Sequence, residues 1–358
     1  SMEFNPKRLS IARKRRLLNK KGFAELAGVA AHTITRCENG LTVPSEENVQ
    51  SFSRVLGFPI KFFFGHDLDE LDAGSVSFRS QTSMTAAVRD GALSAGAIGF
   101  LVSDWVEERF ELPLCTVPDL HLYEPEMAAR ALREEWSLGE RPISNIVHLL
   151  ESKGIRVLSL SENSKRVNAF SLWRDSKAYI FLNTIKSSEN SRFDSAHELG
   201  HLALHQDGKT TGREAEDQAN RFASAFLMPR ADVLAVLPRV NYLDQIIQGK
   251  KRWKVSVAAL NYRLHKLGII SDWKYRDFCI GISRAKYNVQ EPYEIEREKS
   301  VVWQKVMTVL WNERTTQSDI ARALYLPESE VATLIYGVPQ FYEEQRPDGT
   351  IPLALVSG

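Results

Sequence analysis

Residues 193–205 read FDSAHELGHLALH. Within them, His197-Glu198-Leu199-Gly200-His201 has the form H-E-x-x-H. On a helix, positions four apart lie one above the other on one face. Two imidazoles one turn apart can therefore both reach a single zinc ion at about 2.0–2.1 Å. Glu198, beside the first of them, is placed to take a proton from a water activated there. Ala196, Leu199, Leu202 and Leu204 surround these polar residues with apolar ones. A helix that buries two histidines and a carboxylate needs a partner for them, and a metal supplies one. His205 is a third histidine, eight residues beyond His197. That is about 12 Å of helix rise, too far for the same ion on a straight helix.

A third ligand must then come from another element. Residues 213–228 (REAEDQANRFASAFLM) form an amphipathic run with Ala219, Phe222, Ala223, Phe226 and Leu227 on its apolar side. Glu214, Glu216 and Asp217 precede it. Glu216, three before Ala219 and six before Phe222, projects toward the apolar side. Glu214 and Asp217 point more outward, where negative charge also suits a helix N-terminus. Upstream, residues 144–150 and the following KGIRVLSL read as a helix running into a strand. Val167 to Trp173 and Lys177 to Asn183 read as two more strands, with Asp175-Ser176 as their turn.

HELGHLALH followed by EDQANRFASAFLMP resembles the ImmA/IrrE family of zinc metallopeptidases. The second motif of that family has the form E-x-x-A-N-x-F-A with a Leu-Met-Pro-like stop. Here it falls on Glu216, Ala219, Asn220, Phe222, Ala223 and Leu227-Met228-Pro229. The resemblance implies a zincin-like core with His197, His201 and Glu216 as Zn²⁺ ligands and Glu198 as general base. It implies a second-shell or substrate-contact role for His205. Tyr179 and His205 are the candidates for an additional oxyanion donor. By fold-level analogy, the strand Ala178–Leu182 is expected to pair with an extended substrate.

Charge sets off another part of the chain. Among 358 residues the formal net charge is +1. Residues 1–65 hold eleven Lys or Arg against five Asp or Glu, a net of +6, so the remainder carries −5. Eight of the eleven lie between Lys7 and Lys21. A basic head on an acidic body points to an anionic partner for the head. Residues 7–18 read as a basic amphipathic helix. Asn19 opens a second helix, Lys20 to Ala27, which Gly28 ends. A third, Ala31 to Glu38, stops at Asn39-Gly40. Pro44-Ser45 open a fourth, with Val49, Phe52, Val55 and Leu56 on its buried side.

FAELAGVAAHTITRCENG resembles the XRE, or phage-repressor-like, helix-turn-helix family, through Ala24, Gly28, Val29, Ile34 and Glu38-Asn39-Gly40. The resemblance implies that the third helix enters the major groove of double-stranded operator DNA, with Ala31, His32, Thr35 and Arg36 outward and Lys20 near phosphate. It also implies a homodimer. Ala30 stands where the family has a hydroxyl cap, and Lys20 where it has Gln.

Residues 66–83 read as a linker. Met84 to Phe110 read as one long helix, a spacer or a dimerisation surface. Residues 301–338 read as a long helix followed by a second helix-turn-helix-like pair, Ser318 to Leu324 and Glu328 to Tyr336. The acidic residues of the latter favour packing or protein contact over DNA. The expected fold is thus mainly α with a small β-sheet (α+β): an all-α head over 1–66, a linker and connecting helix over 67–115, a peptidase domain over 116–290 and a helical region over 291–358. Hydrophobic residues at 43% and charged residues at 25% exclude a disordered or fibrous chain. Three distant cysteines argue against a disulfide framework. No apolar run reaches membrane-spanning length. No apolar stretch of a signal peptide follows the first basic residues. A cytoplasmic setting is expected.

Two functions are compatible with this reading. The first is a DNA-binding regulator that cuts a protein, such as a repressor or antitoxin-like regulator, in a stress or phage response. The second is a transcription factor whose peptidase-like domain senses or binds with little or no proteolysis. Glu198 favours the first, because a sensor has no need of a base.

Overall fold

A computed structural model describes residues 3–71, 76–78, 85–160 and 169–335. Met84, Val167 and Asn168, and the chain from Tyr336 onward, lie outside the described residues.

The head is built from local signals. Helix α1 (Pro6–Arg15) starts behind Asn5, whose side chain accepts from the amides of Lys7 and Arg8. Asn19 caps α2 (Lys20–Ala27) in the same way, and Gly28 ends it at φ 71°, a conformation glycine adopts without strain. Helix α3 (Ala31–Glu38) has no side-chain cap at Ala30, and α4 (Glu46–Leu56) is capped by Ser45. A 3₁₀ turn, Ile60–Phe64, closes the head over Phe62 and Phe63.

The chain continues through β1 (Ser77–Phe78), α5 (Ala86–Glu107), α6 (Pro125–Glu135) and α7 (Ile146–Ser152) into β2 (Arg156–Leu160), β3 (Ala169–Arg174) and β4 (Lys177–Asn183). Then come α8 (Ser188–Leu204), α9 (Gly212–Leu227), α10 (Arg230–Val236), α11 (Leu243–Trp253), α12 (Val257–Lys266) and α13 (Asp272–Arg284). The last described elements are α14 (Val301–Asn312), α15 (Gln317–Leu324) and α16 (Glu328–Leu334). The fold is α+β, as expected.

The sheet runs in the order β1-β3-β4-β2, with β2 and β4 parallel and β3 antiparallel to β4. It separates two apolar cores. Alternation along β4 sends Ala178, Ile180 and Leu182 to one face and Tyr179 and Phe181 to the other. The first face packs on α8 and the helices that follow it. The second packs on α5, and that core continues without a break into the head and into α14–α16. Helix α5 is therefore more than a spacer: Ala92, Ile98, Phe100, Val102 and Trp105 are buried between the head and the sheet. Glu107 at its end accepts from Arg156 of β2 at 2.7 Å and also bonds Lys177 of β4.

The α15–α16 pair packs within the chain. Glu330 of α16 accepts from Arg15, the last residue of α1, at 2.9 Å and from Arg16, its C-cap, at 2.5 Å. Ser159 of β2 donates to the carbonyl of Thr333.

Candidate functional site

Helix α8 carries the metal motif across the inner face of β3 and β4. Ser187 caps its start, and it is buried along most of its length. Helix α9 packs closely against it. A Cβ on Gly200 would lie 3.0 Å from the Phe222 ring and 3.3 Å from the Ala219 Cα. The missing side chain lets the two helices approach, and the approach brings Glu216 to the histidines.

Three side chains converge so that they could hold one metal ion. His197 Nε2 and His201 Nε2 are 3.0 Å apart. Glu216 places Oε2 at 3.3 Å from the first and Oε1 at 3.2 Å from the second. Two ligand atoms, each about 2.0–2.1 Å from one tetrahedral zinc, stand about 3.4 Å apart. The observed spacings are close to that.

The surroundings select the proton positions such a site requires. Asn220 Oδ1 lies 3.0 Å from His197 Nδ1 and can only accept, so Nδ1 carries the proton and Nε2 the lone pair. Gln218 Oε1 lies 3.0 Å from His205 Nε2, which makes that nitrogen a donor. Burial, and then the neighbouring His201, push the pKa of His205 down, which favours the neutral ring. Its Nδ1 then accepts from His201 Nδ1 at 2.9 Å, and the second ligand also turns a lone pair inward. Burial alone would raise the Glu216 carboxyl, but His197 and His201, when they carry protons toward it in place of a metal, outweigh burial and hold it at about 2. A carboxylate and two inward imidazole lone pairs make a donor set suited to zinc.

Glu198 is wholly buried beside this cluster. Its Oε2 accepts from Ser171 of β3 at 2.6 Å. Ser171 and Gln218 were not singled out from the sequence, and Asn220 was named only as a position of the second motif. Asn220 and Gln218 follow Glu216 on the same helix, and Asn220 shares its face at four residues' distance. Nothing local marks Ser171, because only strand order brings it to α8.

Two expectations need correction. Tyr179 is not at the site: it lies on the opposite face of the sheet, fully buried, with its hydroxyl 3.3 Å from Ser103 of α5. The parity of β4 decides this, since Tyr179 shares its face with Phe181. Nor can Ala178–Leu182 add a substrate strand, because β4 is hydrogen-bonded on both sides, to β3 and to β2. His205 is the C-cap of α8 and touches His201 from behind, through Nδ1, without joining the cluster of His197, His201 and Glu216.

In the head, Ala31, His32 and Arg36 are exposed on α3, and Thr35 is half-buried with its hydroxyl turned back to the Ala31 carbonyl. Arg36 donates to Thr42 Oγ1 at 2.9 Å. Lys20 is half-buried, 3.6 Å from Glu38. Much of the positive charge of α1 is answered within the chain. Arg13 forks onto Glu38 at 2.6 and 2.9 Å, Arg8 bonds the carbonyls of Phe62 and His66, and Lys7 meets Asp67 at 2.6 Å. With Arg15 and Arg16 on Glu330, the net +6 is not a continuous phosphate-binding surface.

Among the described residues, no helix is long and apolar enough to cross a membrane. No curated protein matches the chain. Residues 7–61 match the family model of a helix-turn-helix domain. Residues 150–265 match the peptidase family model described as the IrrE N-terminal-like domain. That second span begins at the end of α7 and ends within α12, so it contains the whole metal cluster. The chain thus joins a helix-turn-helix domain to an IrrE-like peptidase domain.

Proposed function

We propose that the protein is a DNA-binding regulator with zinc-dependent endopeptidase activity, acting on a protein such as a repressor or antitoxin-like regulator. The observation that carries this reading is the convergence of His197, His201 and Glu216 beside a buried Glu198. When bound, zinc supplies Lewis acidity, which polarises the scissile carbonyl and makes a water acidic enough to attack near neutral pH. His197 and His201 hold their lone pairs inward because Asn220 and His205 fix their Nδ1 protons. Glu198 accepts the proton of the attacking water and returns it to the leaving amine. Ser171 donates to Glu198 and keeps its carboxylate turned toward the sheet edge. The head directs the protein to double-stranded DNA through Ala31, His32 and Arg36 on the outward side of α3, with Thr35 beside them and Lys20 near phosphate. A homodimer would give two such helices the spacing of a two-fold operator.

The rival reading, a regulator whose zinc-bound domain senses without cutting, shares every ligand but gives Glu198 no task. One comparison separates them. Purified wild type and Glu198→Gln are each expected to carry about one zinc per chain, because Glu198 is no ligand in this reading. Cells expressing wild type are expected to lose a protein that cells expressing Glu198→Gln retain. Identical protein inventories in the two strains would favour the sensor.

A further inference from the structure

An exposed strand edge presents unpaired N–H and C=O groups that capture an extended peptide. In this sheet the edge beside the metal residues is the outer side of β3. Strand β4 is flanked on both sides, and β2, the opposite edge, is two strands away. Ser171 on β3 touches Glu198, and Trp173 on the same strand donates to the Leu202 carbonyl of α8 at 3.2 Å. A peptide paired along β3 therefore runs past the base of the proposed reaction.

The chain's own connector lies along this edge. Asp69 meets Arg174, at the end of β3, at 2.6 Å. Leu68 and Val76 are buried in the core shared by α5 and the sheet. Ser77 and Phe78 then pair antiparallel with Ser171 and Phe170. The described parts of the connector thus meet β3 at its last residue, through Asp69, and again at Ser171 and Phe170, through residues 77–78. His197 and Glu198 are 0% exposed and His201 5%, while the Glu216 side chain keeps 24% of its surface exposed.

We propose that residues 76–78 are an internal competitor for the peptide-binding edge of the peptidase domain, so that substrate gains the edge by displacing the connector. The proposal rests on the peptidase reading, since only then is this edge a substrate site.

The test uses the full chain loaded with zinc. In an antiparallel pair, successive residues alternate in turning their N–H toward the partner. Ser77→Pro/Phe78→Pro therefore removes the paired donor whichever residue holds it, whereas Ser77→Ala keeps both. Hydrogen exchange of the β3 amide that faces the connector, at Phe170 or Ser171, is expected to quicken about tenfold or more in the double variant and not in Ser77→Ala. The β2–β4 amides are expected to stay protected in all three proteins, which reports an intact sheet. A synthetic peptide with the sequence of residues 74–80 is expected to restore slow exchange in the double variant, and fluorescent casein to be cut faster by it than by wild type. Equal exchange at β3 in wild type and double variant overturns the proposal. So does casein hydrolysis that is measurable and equal in the two proteins once the edge has been shown to open. An edge that opens and captures the peptide, with no hydrolysis by either protein, supports the edge assignment and counts against the peptidase reading instead.

Discussion

In the proposed metal site, Asn220 acts without being a ligand. It holds the Nδ1 proton of His197, and so decides which nitrogen faces the ion. Partners of this kind, when lost, lower metal affinity about 10–100-fold. Asn220→Ala is expected to weaken zinc binding by that factor in competition with a chelator, with the fold unchanged by circular dichroism. Unaltered affinity would show that α8 packing alone orients His197. Arg36 poses the corresponding question in the head. Its guanidinium is exposed and tied only to Thr42 and the Leu41 carbonyl of its own turn. If it reads guanine, Arg36→Ala is expected to lose about 1–3 kcal/mol at one base position. A uniform loss across operator variants would make it a phosphate contact.

Elements whose ends are written locally were legible in the sequence. The observed bounds Lys20–Ala27, Ala31–Glu38 and Lys177–Asn183 follow the Asn19 cap, the Gly28 and Asn39-Gly40 stops and the Asp175-Ser176 turn. The metal motif was legible for the same reason, being two short spacings on two helices. What the sequence did not disclose depends on which elements meet. Strand order decides that β4 is interior and that Ser171 reaches Glu198, and no local periodicity encodes it. The same holds for Glu107, which reads as an unremarked acid near a helix end yet ties α5 to two strands. Burial alone would raise its pKa, but its bonds with Lys177 and Arg156 outweigh that and lower it. A lowered folded-state pKa means stability that is present above the unfolded carboxylate value and lost as pH falls through the folded one. Glu107→Gln is expected to cost about 1–3 kcal/mol near neutral pH by urea unfolding. The gap from wild type is expected to close below about pH 4, as the wild-type carboxylate itself takes up a proton. A gap that stays constant with pH would assign the cost to shape instead of charge.

At the scale of the molecule, the parts expected to follow one another like beads share cores. The head, α5, one face of the sheet and α14–α16 form a continuous apolar cluster. Glu330 is its ionic clasp: its side chain is 4% exposed, and that of Arg15 is 8%. Taking one partner from a buried pair costs about 3–5 kcal/mol, whereas exchanging the whole set for apolar residues is often neutral. Glu330→Ala is expected to lower the urea midpoint clearly, and Arg15→Met/Arg16→Met/Glu330→Leu to recover most of it. No loss in Glu330→Ala would show that the apolar contacts alone hold α16 on the head.

The Arg15–Glu330 contact joins residues 315 positions apart. A ribosome adding roughly 5–20 residues per second makes the second partner on the order of 15–60 s after the first. During that interval the head has left the ribosome with the carboxylate for two of its arginines still unwritten. A nascent head can therefore meet nucleic acid, or any other polyanion, with more positive charge than the finished protein displays. The clasp dates the molecule: a head that has closed on Glu330 belongs to a chain whose peptidase domain has already been made.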